Sequence, residues 1–296
     1  MTIPTTCPDC TSREMMAIAA GRFIKDGDIL FAGTGVALLA AGCAKRVHAP
    51  GAVVFVETGG IDPSLEEIPL AVADPRVMHG TCINAGIIEA FSYISSPRLH
   101  SIAFLGAAQI DRYGNLNSTC IGEYTHPKVR FSGSGGACDA ASLASAYIVF
   151  MEHGRRKFVE KLDYLTSPGW LEGGDSRRRA GFARGGPLAV VTDLCVLRFD
   201  DATHEMYLAE RFAGVTDEQI LAETGFALDV SRAATPGSIA AGRPRRAGCA
   251  APRRSAAAHR SPATCRARSR SRPGPARRSR QGTARPGTSR GSRHRT

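Results

Sequence analysis

Short runs of apolar residues alternate with stretches of mixed polarity along the first three quarters of the chain. Residues 52–56 are five apolar residues in succession that end at Glu57, and residues 101–105 repeat the pattern before Gly106. Such runs are typical of strands buried on both faces of a parallel sheet. The other segments predicted as strands are residues 29–32, 158–165, 188–191 and 195–199.

Helical patterns lie between these strands. Thr11 and Glu14 have the spacing of a capping box before a set of apolar positions, which predicts a first helix that ends near residues 26–28. Residues 36–45 are predicted as a second helix, and residues 139–151 as a helix or as a helix that passes into a strand. This alternation predicts an α/β fold, a layered and largely parallel sheet with helices on both faces.

The positive charge of the chain is concentrated at one end. The formal net charge is +11, yet eighteen of the 38 basic residues, all of them Arg, follow residue 231, where no acidic residue occurs. Residues 1–231 hold the other 20 basic residues and all 27 acidic ones, a formal charge of −7. We therefore do not expect nucleic acid to be the partner of this part.

No apolar run approaches the roughly 20 residues of a membrane-spanning helix, and the N-terminus lacks the order of a secretory signal, so we expect a cytoplasmic protein without a membrane partner.

Residues 232–296 consist almost entirely of Arg, Ser, Ala, Pro and Gly, with one Ile as their only large aliphatic residue. A segment of this composition cannot bury enough apolar surface to offset its ordering entropy, so it is predicted to be a disordered tail after a domain of residues 1–231. Two interpretations stay open. The tail is an Arg-rich arm that binds phosphates, or it is the out-of-frame translation of a GC-rich gene, which its lack of Lys and acidic residues favours.

The cysteines indicate no disulfide framework. Nine are present, an odd number without regular spacing, which fits reduced thiols. Cys7 and Cys10 have the spacing of half a zinc site, but no second pair of ligands follows them. We expect neither a metal nor a cofactor.

Glu57 is the first candidate for chemistry. It follows a predicted buried strand and precedes Thr58, Gly59 and Gly60, and in open α/β sheets ligands bind at the carboxyl ends of the strands. A carboxylate there can act as a nucleophile or a base. Position alone leaves a solvated strand-end carboxylate as the alternative.

Two further stretches are candidates. The glycine-rich residues 132–137 precede a predicted helix, where consecutive backbone N–H groups can bind an anion or an oxyanion, although a plain tight turn has the same spacing. Residues 106–118 form a dense polar stretch directly after a predicted strand, which favours a loop that lines a site; an ordinary turn is again the alternative.

Four stretches carry a resemblance to a known family: VFVETGGID, FLGAAQIDRYGNLNST, IGEYTHPKVRFSGSGGA and KLDYLTSPGW. In their order and spacing, over about residues 13–231, they resemble the B subunit of the two-subunit family I CoA-transferases of the glutaconate type. The resemblance implies an α/β domain shared with sugar-phosphate isomerases, and an active site built between an A and a B subunit. It also implies that Glu57 is the catalytic Glu, with Thr58 in place of the family's Ser or Asn.

The activity that this resemblance implies is transfer of CoA from an acyl-CoA to a carboxylic acid, glutaconate or a similar acid. The reaction would be a double displacement through a glutamyl-CoA thioester on Glu57. We expect the N–H groups of Gly135 and Gly136 to bind the oxyanion or the thioester, and Gln109 and Asn117 to orient the carboxylate or CoA group. The implied partner is the A subunit of such a CoA-transferase, and no metal is required.

Two other classes of function stay open. One is a thioester or C–C hydrolase subunit of the same family, in which Glu57 would activate water. The other is a non-enzymatic regulatory or nucleic-acid-binding protein that uses the basic tail.

Overall fold

A mixed sheet of nine strands forms the centre of the computed structural model, which describes residues 10–64, 66–182 and 184–234. The strands of these ranges are, in chain order, β1 Ile29–Phe31, β2 Val53–Phe55, β3 Gly60–Ile61, β4 Ile83–Asn84, β5 Ser101–Gly106, β6 Gln109–Ile110, β7 Leu116–Asn117, β8 Cys120–Ile121, β9 Val129–Arg130, β10 Ala146–Phe150, β11 Pro187–Val191, β12 Cys195–Phe199 and β13 Met206–Arg211. The helices are α1 Ser12–Gly21, α2 Val36–Val47, α3 Ile87–Ser95, α4 Ala137–Leu143, α5 Ser176–Arg179 and α6 Asp217–Ala222, and a 3₁₀ turn spans Pro75–Met78.

The order of strands across the sheet is β13-β12-β11-β10-β5-β1-β2-β3-β4. The five central strands, β2, β1, β5, β10 and β11, run parallel. The strands at both edges are antiparallel to their neighbours. The predicted largely parallel sheet is therefore confirmed. Strands β6 with β7 and β8 with β9 form two separate hairpins outside it.

Most of the predicted elements are confirmed, with corrections at two places. Of the two alternatives for residues 139–151, the helix that passes into a strand is the one present, since α4 ends at Leu143 and β10 begins at Ala146. The first helix ends at Gly21, not near residues 26–28, because the chain turns where the Asp28 carboxylate accepts a hydrogen bond from the Lys25 N–H. The strand predicted over residues 158–165 is wrong: only Phe158 enters the core and makes a bridge, and most of the following residues are exposed.

Helices cover both faces of the sheet, as predicted. Along β1, the side chains of Ile29 and Phe31 enter one core and Leu30 enters the other, which is the two-residue period of a strand. One core is covered by α1 and α2 and the other by α3, α4 and α6. Both sides of the central strands are thus buried, which explains their continuous apolar runs.

The described chain continues past the predicted domain boundary at residue 231. Arg232 pairs with Asp200 at 2.7 Å and with Asp229 at 3.0 Å, and the Ala234 N–H donates to the carbonyl of Ala209 at 2.9 Å. Residues 232–234 therefore contact the domain, whereas the rest of the predicted tail lies outside the described residues. Within the described ranges, no helix has the length and apolar character needed to cross a membrane.

Candidate functional site

Glu57 stands at the carboxyl end of β2, one residue after the buried Val56, with its side chain half-buried. The turn that follows packs tightly under neighbouring backbone. Gly59 has φ +102°, and a Cβ on it would lie 2.0 Å from the carbonyl oxygen of Ala85. A Cβ on Gly60 would lie 2.3 Å from the carbonyl oxygen of Val77. The two glycines are needed because no side chain fits there, and the turn fixes the direction in which Glu57 leaves the sheet.

The glycine-rich turn meets this carboxylate. The backbone N–H of Gly136, at the N-cap of α4, donates to Oε1 of Glu57 at 3.0 Å. A Cβ on Gly136 would lie 2.7 Å from the same oxygen, so the approach requires glycine. Gly135 adopts φ +49°, and its N–H has no acceptor among the described residues. The structure therefore brings Glu57, Gly135 and Gly136 together, as the sequence predicted, but with the Gly136 N–H bonded to the carboxylate itself.

A cleft of about 510 Å³ opens beside Glu57. Helices α3 and α4 form its walls, and the side chains that line it besides Glu57 are Ile87, Ile88, Phe91, Ser92, Ser95, Asp139 and Leu143. The α3 residues were not predicted as site residues. A signal for them was present, because the apolar positions 87, 88, 91 and 94 have helical spacing. The wall is largely apolar, and its two charged groups are both carboxylates.

Gln109 and Asn117 lie elsewhere, buried in the β6–β7 hairpin. The Asn117 amide donates to Oε1 of Gln109 and to the carbonyl of Cys120, both at 2.7 Å. The Gln109 amide donates to the Asp163 carboxylate at 2.8 Å. Neither residue is among those that line the cleft. Their polar atoms are used inside the protein, and this placement favours a structural role over the predicted contact with substrate.

The turn after the β6–β7 hairpin is hydrogen-bonded to the glycine-rich turn. The Asn117 side-chain oxygen accepts from the Thr119 N–H at 2.9 Å, which fixes the turn after β7. Ser118 in that turn bonds Gly133 twice, because its hydroxyl donates to the Gly133 carbonyl at 2.9 Å and its own carbonyl accepts from the Gly133 N–H at 3.1 Å. The polar stretch thus contacts the backbone of the glycine-rich turn, and through this turn it is connected to the site.

The far end of α4 is fixed by a buried arginine. Arg177, only 3% exposed, donates to the carbonyl of Ala141 at 2.7 Å and to those of Pro168 and Gly169 at 3.0 and 2.9 Å. Burial lowers the pKa of Arg177, and the three carbonyls compensate for part of the lost hydration. A cation at the C-terminal end of a helix is also favoured by the helix dipole. Arg177 thereby anchors the helix whose first residues face Glu57.

A second cluster of titratable side chains lies away from the cleft. The His153 ring stacks on Phe158 with 4.1 Å between ring centroids, and its nitrogens lie 3.0 Å from Oγ1 of Thr224 and 3.3 Å from Oγ1 of Thr192. Burial lowers the pKa of His153 to about 4 and raises the pKa of the neighbouring Cys195 to about 12. Both groups are therefore neutral near pH 7, which suits a structural cluster and not a thiolate nucleophile.

Within the described ranges, no group of three or more His, Cys, Asp or Glu side chains could hold a metal ion. Cys7, half of the spaced pair noted in the sequence, lies outside those ranges. The other half, Cys10, is disulfide-bonded, so the expectation of reduced thiols is wrong for that residue, whereas the five other cysteines of the described ranges are free.

Comparisons with known proteins identify a family, related sequences and a related fold. The model of the coenzyme A transferase family matches residues 13–223. The B subunit of glutaconate CoA-transferase from Acidaminococcus fermentans is 45% identical over 229 residues, which are 75% of this chain and 85% of the relative. The B subunit of 3-oxoadipate CoA-transferase from Pseudomonas knackmussii is 37% identical over 220 residues, 74% and 84% of the two chains. The crystal structure of glutaconate coenzyme A-transferase from A. fermentans superposes with a TM-score of 0.74 at 42% identity, covering 80% of this chain and 91% of that one.

Proposed function

The chain belongs to the coenzyme A transferase family, in which it is a B subunit, and from that premise we propose that Glu57 is the residue that carries coenzyme A between two acids. The observation that supports this role is the contact of its carboxylate with the Gly136 N–H at the mouth of the cleft. A carboxylate held by a backbone donor at the carboxyl end of a parallel strand, and only half-buried, has the geometry of an accessible nucleophile.

The reaction would begin with attack of a Glu57 oxygen on the thioester carbonyl of the acyl-CoA. The tetrahedral intermediate collapses as the C–S bond breaks, which leaves an acyl-glutamyl anhydride and CoA thiolate. The thiolate then attacks the glutamyl carbonyl and expels the first acid as its carboxylate, leaving a glutamyl-CoA thioester. An incoming carboxylate reverses the two steps. Each step conserves charge and electrons within these groups, so we propose that no metal and no cofactor takes part.

Two different oxyanions form in this reaction, and we assign the N–H group of one glycine to each of them. In the first attack the negative charge develops on the substrate's oxygen. The Gly135 N–H, which has no acceptor among the described residues, is our candidate donor for that oxygen, because Gly135 lies next to Glu57. In the second attack the charge develops on the glutamyl oxygen itself. The Gly136 N–H already lies 3.0 Å from Oε1, so it is placed to stabilise that second oxyanion.

We propose that the partner is an A-type CoA-transferase chain and that the substrates are an acyl-CoA and a carboxylic acid. Glu57 is half-buried and Thr58 is exposed, so on this chain alone water can reach the carboxylate. Water would hydrolyse both activated intermediates, and a second subunit over the cleft would exclude it. The relatives are named for glutaconate and 3-oxoadipate, which supports an acid of that kind. Because acyl-CoA is an intracellular metabolite, we place the enzyme in the cytoplasm.

The experiment is to trap the glutamyl intermediate. The chain is co-expressed with a candidate A-type partner, mixed with an acyl-CoA, and treated with hydroxylamine or borohydride. We expect mass spectrometry to find the modification on Glu57, and transfer to glutaconate to require both subunits. CoA release without a modified Glu57 would instead indicate the hydrolase, in which the carboxylate activates water. Robust transfer by the lone monomeric chain would contradict the two-subunit proposal.

A further inference from the structure

The ring of Phe91 packs against Gly136, the residue that binds the proposed nucleophile. A Cβ placed on Gly136 would lie 2.4 Å from Cζ of Phe91 and 2.7 Å from Oε1 of Glu57, so both side chains lie against the same face of this glycine. The edge of the ring therefore lies beside the hydrogen bond from the Gly136 N–H to Glu57 and fills space next to it.

Phe91 itself packs against an aromatic residue of the sheet. Its ring lies 5.1 Å from that of Phe31, tilted by 47°, a favourable arrangement for an aromatic pair. Phe31 ends the central strand β1 and is buried. Packing against the sheet therefore holds Phe91 in place, in addition to its own helix, α3. The same ring lines the cleft, where it gives the carboxylate an apolar neighbour.

From this geometry we propose that Phe91 is a positioning residue for the transfer reaction, one that keeps the Gly136 N–H directed at the Glu57 carboxylate. The inference rests on the proposed function, because it assigns Phe91 a part in the steps at Glu57. Removing the ring leaves a gap beside Gly136 and Glu57, into which either group can shift or water can enter. Either change lengthens or competes with the hydrogen bond that stabilises the glutamyl oxyanion.

The test compares Phe91→Ala with Ile94→Ala in the two-subunit enzyme. Ile94 is on the same helix, fully buried in the core of the same sheet face, and does not line the cleft. We expect Phe91→Ala to lower kcat by about tenfold or more, since loss of one oxyanion donor costs about a hundredfold, with the KM for acyl-CoA within about twofold. Phe91→Leu should recover part of the rate. Ile94→Ala should lower Tm while kcat, measured well below melting, stays near that of the wild type.

Hydrogen exchange gives a readout that does not depend on turnover. The peptide that contains Gly136 should exchange faster in Phe91→Ala than in Ile94→Ala. Wild-type kcat and exchange in Phe91→Ala, or equal losses of kcat in both variants, would overturn the assignment of Phe91. Faster exchange without a loss of kcat would likewise refute a role of Phe91 in the reaction. The proposed function has a separate test, because it fails if the wild-type enzyme turns over without a modified Glu57.

Discussion

The backbone N–H of Gly136 donates a hydrogen bond to the carboxylate of Glu57 at 3.0 Å, although 79 residues separate the two in the chain. The sheet makes this contact possible. Glu57 follows β2, and Gly136 begins α4, the helix that leads into β10, a strand parallel to β5 in the same sheet. A crossover helix starts at the carboxyl edge of the strands, so both residues come to that edge.

Replacing Glu57 by Gln should lower transfer by at least about three orders of magnitude, because the amide cannot form the anhydride or the thioester. The amide oxygen can still accept the Gly136 hydrogen bond, so Tm should stay close to that of the wild type. Steady-state transfer with the A-type partner present measures the effect, and Glu172→Gln, an exposed change outside the cleft, is the control. Activity of Glu57→Gln within tenfold of wild type would remove Glu57 from the mechanism.

Gly136→Ala should also inactivate the enzyme. The new methyl group would lie 2.7 Å from Oε1 of Glu57 and 2.4 Å from Phe91, so the carboxylate or the helix must shift. We expect a loss of about a hundredfold in kcat, the size of a lost oxyanion donor. Gly33→Ala is the matched control, since a Cβ there meets no atom within 4 Å. Equal kcat values for the two variants would show that the close approach at Gly136 is not needed.

Asn117→Ala should lower the stability of the fold. Asn117 is fully buried, and its loss removes one of the hydrogen bonds that Gln109 accepts and the side-chain donor of the Cys120 carbonyl. Unpaired buried groups cost about 1–3 kcal/mol, which corresponds to a fall in Tm of about 2–4 °C for each kcal/mol in a domain of this size. The exposed Asn84→Ala is the control. A changed KM for the acid with an unchanged Tm would restore the interpretation of Asn117 as a substrate-orienting residue.

His153 should make stability depend on pH. Burial lowers the pKa of His153 to about 4, below its ordinary value of 6.5, so the unfolded chain binds the proton more readily than the folded one. The stability that depends on a neutral His153 is complete above about pH 6.5 and is lost as the pH falls toward 4. The loss should be about 3 kcal/mol at most. Urea unfolding between pH 7 and 4.5 measures it, and His153→Gln should lack this part of the slope. Identical slopes for the two proteins would refute the prediction.

Chains that end at Ala234 and at Ser231 should differ in stability. The shorter chain loses the ion pairs of Arg232 with Asp200 and Asp229, and the contact of the guanidinium with the ring of Tyr207, 4.8 Å away. Arg232 is half-exposed, so solvent screens both pairs and each contributes little to stability. We expect Tm of the shorter chain to be lower by a few degrees, as measured by calorimetry. Equal Tm values would place the domain boundary at residue 231, as the sequence alone predicts.

The sequence by itself determined the fold class and the position of Glu57. Unbroken apolar runs such as residues 52–56 identify strands buried on both faces, and a polar residue at the end of such a run lies at the edge where ligands bind. The capping box at Thr11 and Glu14 is likewise a local signal, and both of its hydrogen bonds are present. These features depend on neighbours in the chain, and local periodicity is sufficient to predict them.

Tertiary structure decided what the polar and glycine residues do. Gln109 and Asn117 have the composition of a substrate loop, yet long-range contacts such as that with Asp163 place them in a buried network. Glycine spacing could not show that Gly136 bonds the carboxylate itself, or that Phe91 packs beside that contact. A hydrogen-bonding group binds whichever partner the packed sheet and helices bring within about 3 Å, and that partner is often distant in sequence.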